Sequence, residues 1–501
     1  MDYSKLQNGS DIRGIALEGI EGQHVNLTEQ ACRDIGRGFA LWLQAREPGK
    51  TGLRVAVGRD SRLSGPALAG WIDGAMAEAG LLVTDIGLAS TPAMFMCTVT
   101  EGYLYDASVM ITASHLPFNR NGFKFFTRDG GLEKQDIAAI LSLAGTSGAT
   151  GLPAGSVRTG EFMDAYAAIL TDKVRVATGS QHPLDGFRVV VDAGNGAGGF
   201  YVDKVLKPLG ADTRGSRYLE PDGRFPNHIP NPENETAMAS IMEAVRENHA
   251  DLGIIFDTDV DRAGAVLSDG SELNRNRIIA MMAAILLRDH PGTTIVTDSI
   301  TSTGLAAFIA RHGGVHHRFK RGYRNVINES IRLNKEGHDS QLAMETSGHG
   351  ALKENFFLDD GAYLVTKLLI ELARGRDEGY TLHSLIADLA EPAESREFRM
   401  NLLLDDFKPY GQSVIDALAA YAAKQPGWTV APNNFEGIRV NLDKARGDGW
   451  FLLRLSLHDP LMPLNIESDT AGGVEIIAKE LFPFLKGFDK LDTASLAAFV
   501  R

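Results

Sequence analysis

Three widely separated stretches of the chain share one pattern: an apolar run rich in β-branched residues, a loop of Gly, Ser and Asp, then a helical periodicity. They are LRVAVGRDSRLSGP from Leu53, FRVVVDAGNGAGGF from Phe187 and TTIVTDSITSTGLAAFI from Thr293. Such a repeat commits the chain to a succession of α/β units. Runs such as RVVV and LGIIF suit strands covered by helices on both faces, where ligands gather at the loops beyond the carboxyl ends of the strands. At 501 residues the chain exceeds what one core usually organises. A Gly, Ser, Thr and Ala-rich stretch at 143–157 reads as a linker, and further junctions fall near 268–276 and 389–400. The expected domains are therefore 1–150, 151–268, 269–392 and 393–501. In the last of these, GIRVNL and WFLLRLSL alternate with helical segments and the theme changes.

A formal net charge of −14, with no cluster of Lys and Arg, argues against a nucleic-acid partner and makes a divalent cation the more natural companion. The two cysteines, Cys32 and Cys97, lack any metal-binding or disulfide spacing and are expected to be buried and inert. The start of the chain lacks the basic-then-apolar pattern of a secretory signal. The most apolar run, 278–287, is too short to span a bilayer, so no membrane association is expected and the cytoplasm is the expected compartment.

The strongest metal signal is LGIIFDTDVDRAG, in which an apolar strand from Leu252 runs into Asp257, Asp259 and Asp261, followed by Arg262. Three alternating carboxylates on a turn can converge on one hard cation such as Mg²⁺ and leave positions open for a phosphate oxygen. An EF-hand loop fails, because its sixth and twelfth positions counted from Asp257 are Arg262 and Ser268. The likeness to an aspartyl-phosphate phosphatase motif is weakened because Asp261 stands where Thr or Val is wanted. Gly194, Gly196 and Gly199 satisfy a dinucleotide fingerprint, with Asp212 at about the right distance, against the plainer reading of a tight strand-to-helix turn. In SVMITASHLPFNRNGFKFF, Ser114 follows a strand pattern, and a serine beside His115, with Lys124 returning after the loop, could form a phosphoryl carrier. Read alone, the same pair suits a capping turn.

TASHLPFNRNGFKFF, FDTDVDR and METSGHG occur in this order, and together they resemble the α-D-phosphohexomutases, the phosphoglucomutase and phosphomannomutase family. SDIRGIA, VGRDSRLSGP, GLASTPAMF, VVVDAGNGAGG, PDGRFPNHIPNPEN and DDGAYL extend the resemblance over essentially the whole chain. It implies an α/β fold of three similar mixed-sheet domains around a central cleft, plus a C-terminal α+β domain. The implied activity is interconversion of hexose 1- and 6-phosphates of mannose or glucose. It would run through a phosphoserine enzyme and a bound glucose or mannose 1,6-bisphosphate, with Mg²⁺ as cofactor and sugar phosphates as the small-molecule partners. Phosphoglucosamine mutase is the near alternative. An NAD-binding oxidoreductase and a non-catalytic sugar-phosphate binder are the distant ones.

By the same resemblance Ser114 carries the phosphoryl group and, through it, joins Asp257, Asp259 and Asp261 around the metal. Arg13, His115, Lys124 and Arg262 are the charged companions. Glu345 and Ser347 would bond sugar hydroxyls, and His349 would relay a proton. Lys320 and Arg321, in RFKRGYRN, occupy another ligand-facing loop. Where many members have RxSGTEP to hold the non-reacting phosphate, this chain reads RLSLHDP. Arg454 and Ser456 keep a guanidinium and a hydroxyl, while Leu457 and His458 replace Gly and Thr, with His458 as a further donor. Met344 replaces a glycine before Glu345, and Leu116 stands where the family usually has Asn. The sequence leaves the oligomeric state open.

Overall fold

A computed structural model describes residues 2–146, 153–456 and 459–501. The chain divides into two compact units, Met1–Asn274 with Ser347–Ser384, and Arg275–Thr346 with Leu385–Arg501. Each is built from helices packed on sheets.

Among its described residues the first unit contains two larger sheets, beside a short antiparallel pair, Gly350–Leu352 with Leu358–Asp359. In the larger, Arg54–Arg59 pairs in parallel with Leu82–Leu88 on one side and Ala107–Ile111 on the other, and Arg120–Thr127 runs antiparallel to Ala107–Ile111. The central strands are buried along almost their whole length, as their unbroken apolar runs require. Helix Glu29–Arg46 starts where the Thr28 side chain accepts from the Ala31 N–H, and its buried stripe includes Cys32, Ile35, Phe39 and Leu43. Phe39 meets Phe125 of the sheet at a centroid distance of 4.7 Å. The end of the stretch read as a linker is a strand: Ser156–Thr159 pairs in parallel with Leu82–Leu88 at the sheet edge, so this sheet continues past residue 150.

In the second sheet Leu252–Phe256 lies parallel to Val189–Asp192 and antiparallel to Ala263–Leu267. Phe256 faces Ala263 across the ladder, so residues 257–262 are the loop of a hairpin. The helix expected after Val189–Asp192 is replaced by a π-helical turn, Val202–Leu206, and a 3₁₀ turn, Lys207–Leu209, which Gly210 ends in the left-handed region. Pro208 lacks the N–H that a continuing helix needs.

The second unit contains the parallel strands Val315–Arg318, Thr294–Thr297 and Ser340–Met344, with helices Asn276–Asp289, Thr303–Arg311 and Tyr323–Lys335. It also contains an antiparallel sheet in the order Glu394–Asn401, Leu461–Ser468, Gly449–Leu453, Ile438–Leu442 and Trp428–Val430. Helices Phe407–Ala422 and Gly473–Leu485 cover that sheet through Val414, Leu418, Ile477 and Leu481. This is the α+β segment expected at the C-terminus. Met344 ends its strand fully buried, so its side chain joins the core. Cys32 and Cys97 are free and buried, and burial pushes the Cys32 thiol up to about 12, in keeping with inert thiols. Among the described residues no helix is long and apolar enough to cross a membrane.

Candidate active site

Ser114 lies just beyond the strand Ala107–Ile111, in the left-handed region at φ 50°, an unusual conformation for a residue with a side chain. Its N–H donates to Thr112 Oγ1 at 2.9 Å, and Thr112 Oγ1 donates to Asp60 Oδ2 at 2.7 Å. Arg62 holds the rest of the loop. Its buried guanidinium donates to the carbonyls of Ser114 (2.5 Å), Leu116 (2.6 Å), Pro117 (2.8 Å) and Arg120 (3.0 Å), and its Nε lies 3.3 Å from Asp60. The loop is thus organised through its backbone. An asparagine amide at position 116 is not required for that purpose, because the Leu116 carbonyl is itself one of the acceptors.

Ser114 Oγ receives a hydrogen bond from Arg262 Nη2 at 2.9 Å and donates to Asp257 Oδ2 at 3.1 Å. His115 Nδ1 lies 3.3 Å from the same oxygen and is also bonded by Arg262 Nη2. Because an arginine can only donate, His115 accepts at Nδ1 and carries its proton on Nε2. Burial, with the nearby charges of Arg262 and His349, pushes this imidazole down to about 3, so it is neutral.

The aspartates sit in the 257–262 hairpin loop, all buried. Asp257 Oδ2 accepts from Arg262 Nε at 3.2 Å, Asp259 Oδ2 from Thr91 Oγ1 at 2.5 Å, and Asp261 Oδ2 from Lys124 Nζ. Lys124 Nζ is also 3.5 Å from Asp259. One oxygen from each of the three carboxylates lies within 4.8 Å of the others. Burial raises Asp257 well above the usual carboxylate range, reinforced by the like charges of Asp261 and Asp259. Burial opposes ionisation of Asp261 too, but Lys124, His349 and Arg262 outweigh it and hold that group down. Asp259 Oδ1 and Asp261 Oδ1 are buried without a hydrogen-bond partner among the described residues. Buried carboxylate oxygens left orphaned beside one another are what a divalent cation would satisfy, so the donor set fits a hard metal ion.

Of the glycines that suggested a dinucleotide fingerprint, Gly196 packs against this loop. A Cβ at Gly196 would lie 2.6 Å from the Thr258 carbonyl oxygen, and the Ala197 N–H donates to that oxygen at 2.8 Å. Asp212, the supposed ribose ligand, is paired with Arg188 at 2.8 Å and Arg214 at 2.7 Å.

His349 joins Arg262 through an isolated antiparallel backbone bridge. Its Nδ1 bonds to Asp359 Oδ2. Burial alone would push the imidazole down, but the Asp359 carboxylate prevails and raises it to about 9, so His349 can offer a proton. Arg13 donates to the Thr112 carbonyl and to Asp11 at 2.8 Å, which makes it a brace for the strand leading into the serine loop. Ser347 is buried at the start of the segment that carries His349.

In the second unit, Glu345 is buried and accepts from the Gly322 N–H at 2.6 Å. Arg321 donates its backbone N–H to Glu436 at 2.8 Å, and Arg454 Nη1 approaches the same carboxylate at 3.5 Å. Lys320 is exposed, with its Nζ 5.9 Å from the Phe319 ring centre. Ser456 Oγ accepts from the Asp459 N–H at 3.3 Å. Leu457 and His458 lie outside the described residues. The sequence reading passed over Arg62, Asp60, Asp359 and Glu436. The first three lie in VGRDSRLSGP and DDGAYL, segments that had signalled family likeness without a role, whereas Glu436 carried no signal.

Comparison with known proteins agrees with the geometry. Models of phosphoglucomutase/phosphomannomutase α/β/α domains I, II and III match residues 4–147, 162–270 and 274–392. A phosphoglucomutase of Neisseria gonorrhoeae is 31% identical over 92% of this chain and 93% of its own length. A phosphomannomutase/phosphoglucomutase of Pseudomonas aeruginosa PAO1 is 30% identical over 96% of each chain. The crystal structure of a phosphoglucomutase/phosphomannomutase family protein from Burkholderia thailandensis superposes with a TM-score of 0.78 at 27% identity, covering 97% of this chain and 98% of that one. Sequence, fold and relatives converge: the chain belongs to the phosphoglucomutase/phosphomannomutase family, metal-dependent isomerases that act by phosphoryl transfer.

Proposed function

We propose that the protein interconverts hexose 1-phosphate and hexose 6-phosphate, of glucose or mannose, with Ser114 as the phosphoryl carrier. The observation that carries this reading is the meeting of Ser114 Oγ with Arg262 at 2.9 Å and Asp257 at 3.1 Å, beside two further buried carboxylates. Asp257, Asp259 and Asp261 would hold Mg²⁺, together with an oxygen of the Ser114 phosphate. Mg²⁺ bound there supplies electrostatic stabilisation of the charge on the transferring group.

The chain's own residues account for the rest. In the forward half-reaction the Oγ–P bond of phosphoserine breaks as the free sugar hydroxyl forms its own bond to phosphorus, giving the 1,6-bisphosphate. The hydroxyl proton leaves to a neighbouring base, and Arg262 receives the charge that develops on Ser114 Oγ. After the bisphosphate turns over, its other phosphoryl group returns to Ser114. His349, held protonated by Asp359, donates its own proton to the sugar oxygen that is released and is reprotonated by the base that took up the hydroxyl proton, so the cycle closes with no net proton change. Lys124 keeps Asp261 ionised, and neutral His115, fixed by Arg262, packs beside the serine without competing for its proton. Glu345 and Ser347 are the sugar-hydroxyl partners in this reading, and Arg321, Arg454, Ser456 and His458, with exposed Lys320, recognise the non-reacting phosphate.

Coupled assays with glucose, mannose and glucosamine 1-phosphates in the presence of Mg²⁺ and a trace of 1,6-bisphosphate test the activity. Peptide mass spectrometry tests for phosphate on Ser114. Loss of both signals is expected in Ser114→Ala, and full mutase activity in that variant would overturn the mechanism.

A further inference from the structure

Glu436 sits in the loop between the strands Trp428–Val430 and Ile438–Leu442, and its side chain is only 11% exposed. One carboxylate oxygen, Oε2, accepts from Ser299 Oγ and from the Arg321 N–H, both at 2.8 Å. The other, Oε1, faces Arg454 Nη1 at 3.5 Å. Ser299 follows the strand Thr294–Thr297, Arg321 precedes helix Tyr323–Lys335, and Arg454 follows the strand Gly449–Leu453. One carboxylate therefore ties together three loops remote in sequence. Gly437, at φ 62°, lets the Glu436 loop close on Arg454: a Cβ there would lie 2.1 Å from the Leu453 carbonyl oxygen.

Two guanidiniums near one another repel, and both lose hydration when buried. Burial is the main influence pushing Arg454 down from its ordinary pKa, Arg321 adds to it, and Glu436 opposes it. Arg454 Nε is buried and has no hydrogen-bond partner among the described residues. An acceptor is thus wanting on a side chain whose other edge is already oriented.

We propose that Glu436 is the positioning residue of the phosphate cradle. It fixes the Arg321 loop by its hydrogen bonds and offsets the charge of Arg454, leaving the guanidinium edge free to receive the dianionic, non-reacting phosphate of a sugar phosphate. The proposal rests on the mutase reading given above. Glu436 touches the arginine and not the reacting atoms, so its effect falls on substrate capture rather than on the phosphoryl-transfer step.

The test is a double-variant cycle in the Mg²⁺-loaded full chain, with Glu436→Gln, Arg454→Ala and their combination assayed on glucose 1-phosphate. Glutamine keeps an acceptor for Ser299 and Arg321 but loses the charge that orients Arg454. The expected result is a KM raised about tenfold, the loss of a charge-assisted contact, with kcat within about twofold and an unchanged melting temperature. In the Arg454→Ala background the same change costs less than about twofold, because Glu436 acts through that arginine. Penalties that multiply, or a fall in kcat with KM unmoved, would overturn the proposal. Wild-type chain inactive on every hexose phosphate would count against the mutase reading instead. Titration with inorganic phosphate would then judge the cradle alone: binding weakened about tenfold by Glu436→Gln supports it, and equal binding overturns it.

Discussion

Replacing Arg62 should cost more activity than its distance from the reacting oxygen suggests. Its guanidinium donates to the carbonyls of Ser114, Leu116, Pro117 and Arg120 and pairs with Asp60 inside the protein. Each charge-assisted bond is worth roughly 1.5–3 kcal/mol, but the four share one cation and water can replace some of them, so a total near 4 kcal/mol is the reasonable figure for Arg62→Ala. Asp60 then stands buried without its cation. Burial already raises it to about 6 despite Arg62, so in the variant it takes up a proton and loosens its hold on Thr112. A serine loop displaced by about 1 Å lowers kcat by on the order of a hundredfold. Arg62→Lys guards against a variant that merely fails to fold, since one ammonium cannot span four carbonyls and kcat should still fall more than about tenfold. Urea unfolding gives the stability, the coupled mutase assay gives kcat and KM, and intact mass gives the fraction of phosphorylated Ser114. If Arg62→Lys kept kcat within about twofold at normal phosphoserine occupancy, the claim that this arginine sets the nucleophile's geometry would be wrong.

Chelation should abolish turnover and lower the melting temperature, because it leaves Asp257, Asp259 and Asp261 as a buried cluster whose charge Lys124 and Arg262 offset only in part. Added Mg²⁺ at about 100 times its dissociation constant should restore roughly 2.7 kcal/mol, and turnover indifferent to chelation would refute the metal assignment. Asp73 offers a pH test remote from the site: burial, helped by Asp85 and opposed by Arg59, raises its carboxyl from 3.8 to about 8. The folded chain keeps a proton that the unfolded chain gives up near 4, so wild-type stability declines as pH rises between those values. Asp73→Asn should match wild type at pH 4 and exceed it by on the order of a few kcal/mol at pH 9, by urea unfolding; equal stability at pH 9 would count against a buried, protonated Asp73.

The parts of the site legible in sequence are those whose chemistry is contiguous. FDTDVDR puts its carboxylates on one hairpin loop, and SH follows directly from a strand. Arg62 escaped because its partners are backbone carbonyls 52 to 58 positions away, and carbonyls leave no trace in residue identity. Glu436 escaped for a related reason, since its partners include the Arg321 N–H, 115 positions distant. Arg13 was legible as a cation near the site, but only the register of Asp11–Ile15 on Arg120–Thr127 turns it toward the Thr112 carbonyl, just beyond a strand. Ser156–Thr159 was hidden within a linker because all its residues are exposed, so the strand has no buried face to impose an apolar alternation. The π-helical turn at Val202–Leu206 follows a Gly-rich loop that reads equally well as a helix start.

The first unit is discontinuous in sequence, and this bears on how the protein is made. Its serine loop and aspartate hairpin leave the ribosome early, but His349, Asp359 and helix Gly361–Glu378 arrive only after the whole of Arg275–Thr346, which belongs to the other unit. A nascent chain halted at Asn274 holds three buried-type carboxylates without the Asp359–His349 pair, and without Gly361, whose N–H bonds the Val260 carbonyl at 3.1 Å. Completion of this acidic centre is therefore a late event in synthesis. Until then the chain carries an unfinished, charge-dense hairpin, the kind of intermediate in which early cation capture or chaperone shelter governs the yield of native protein.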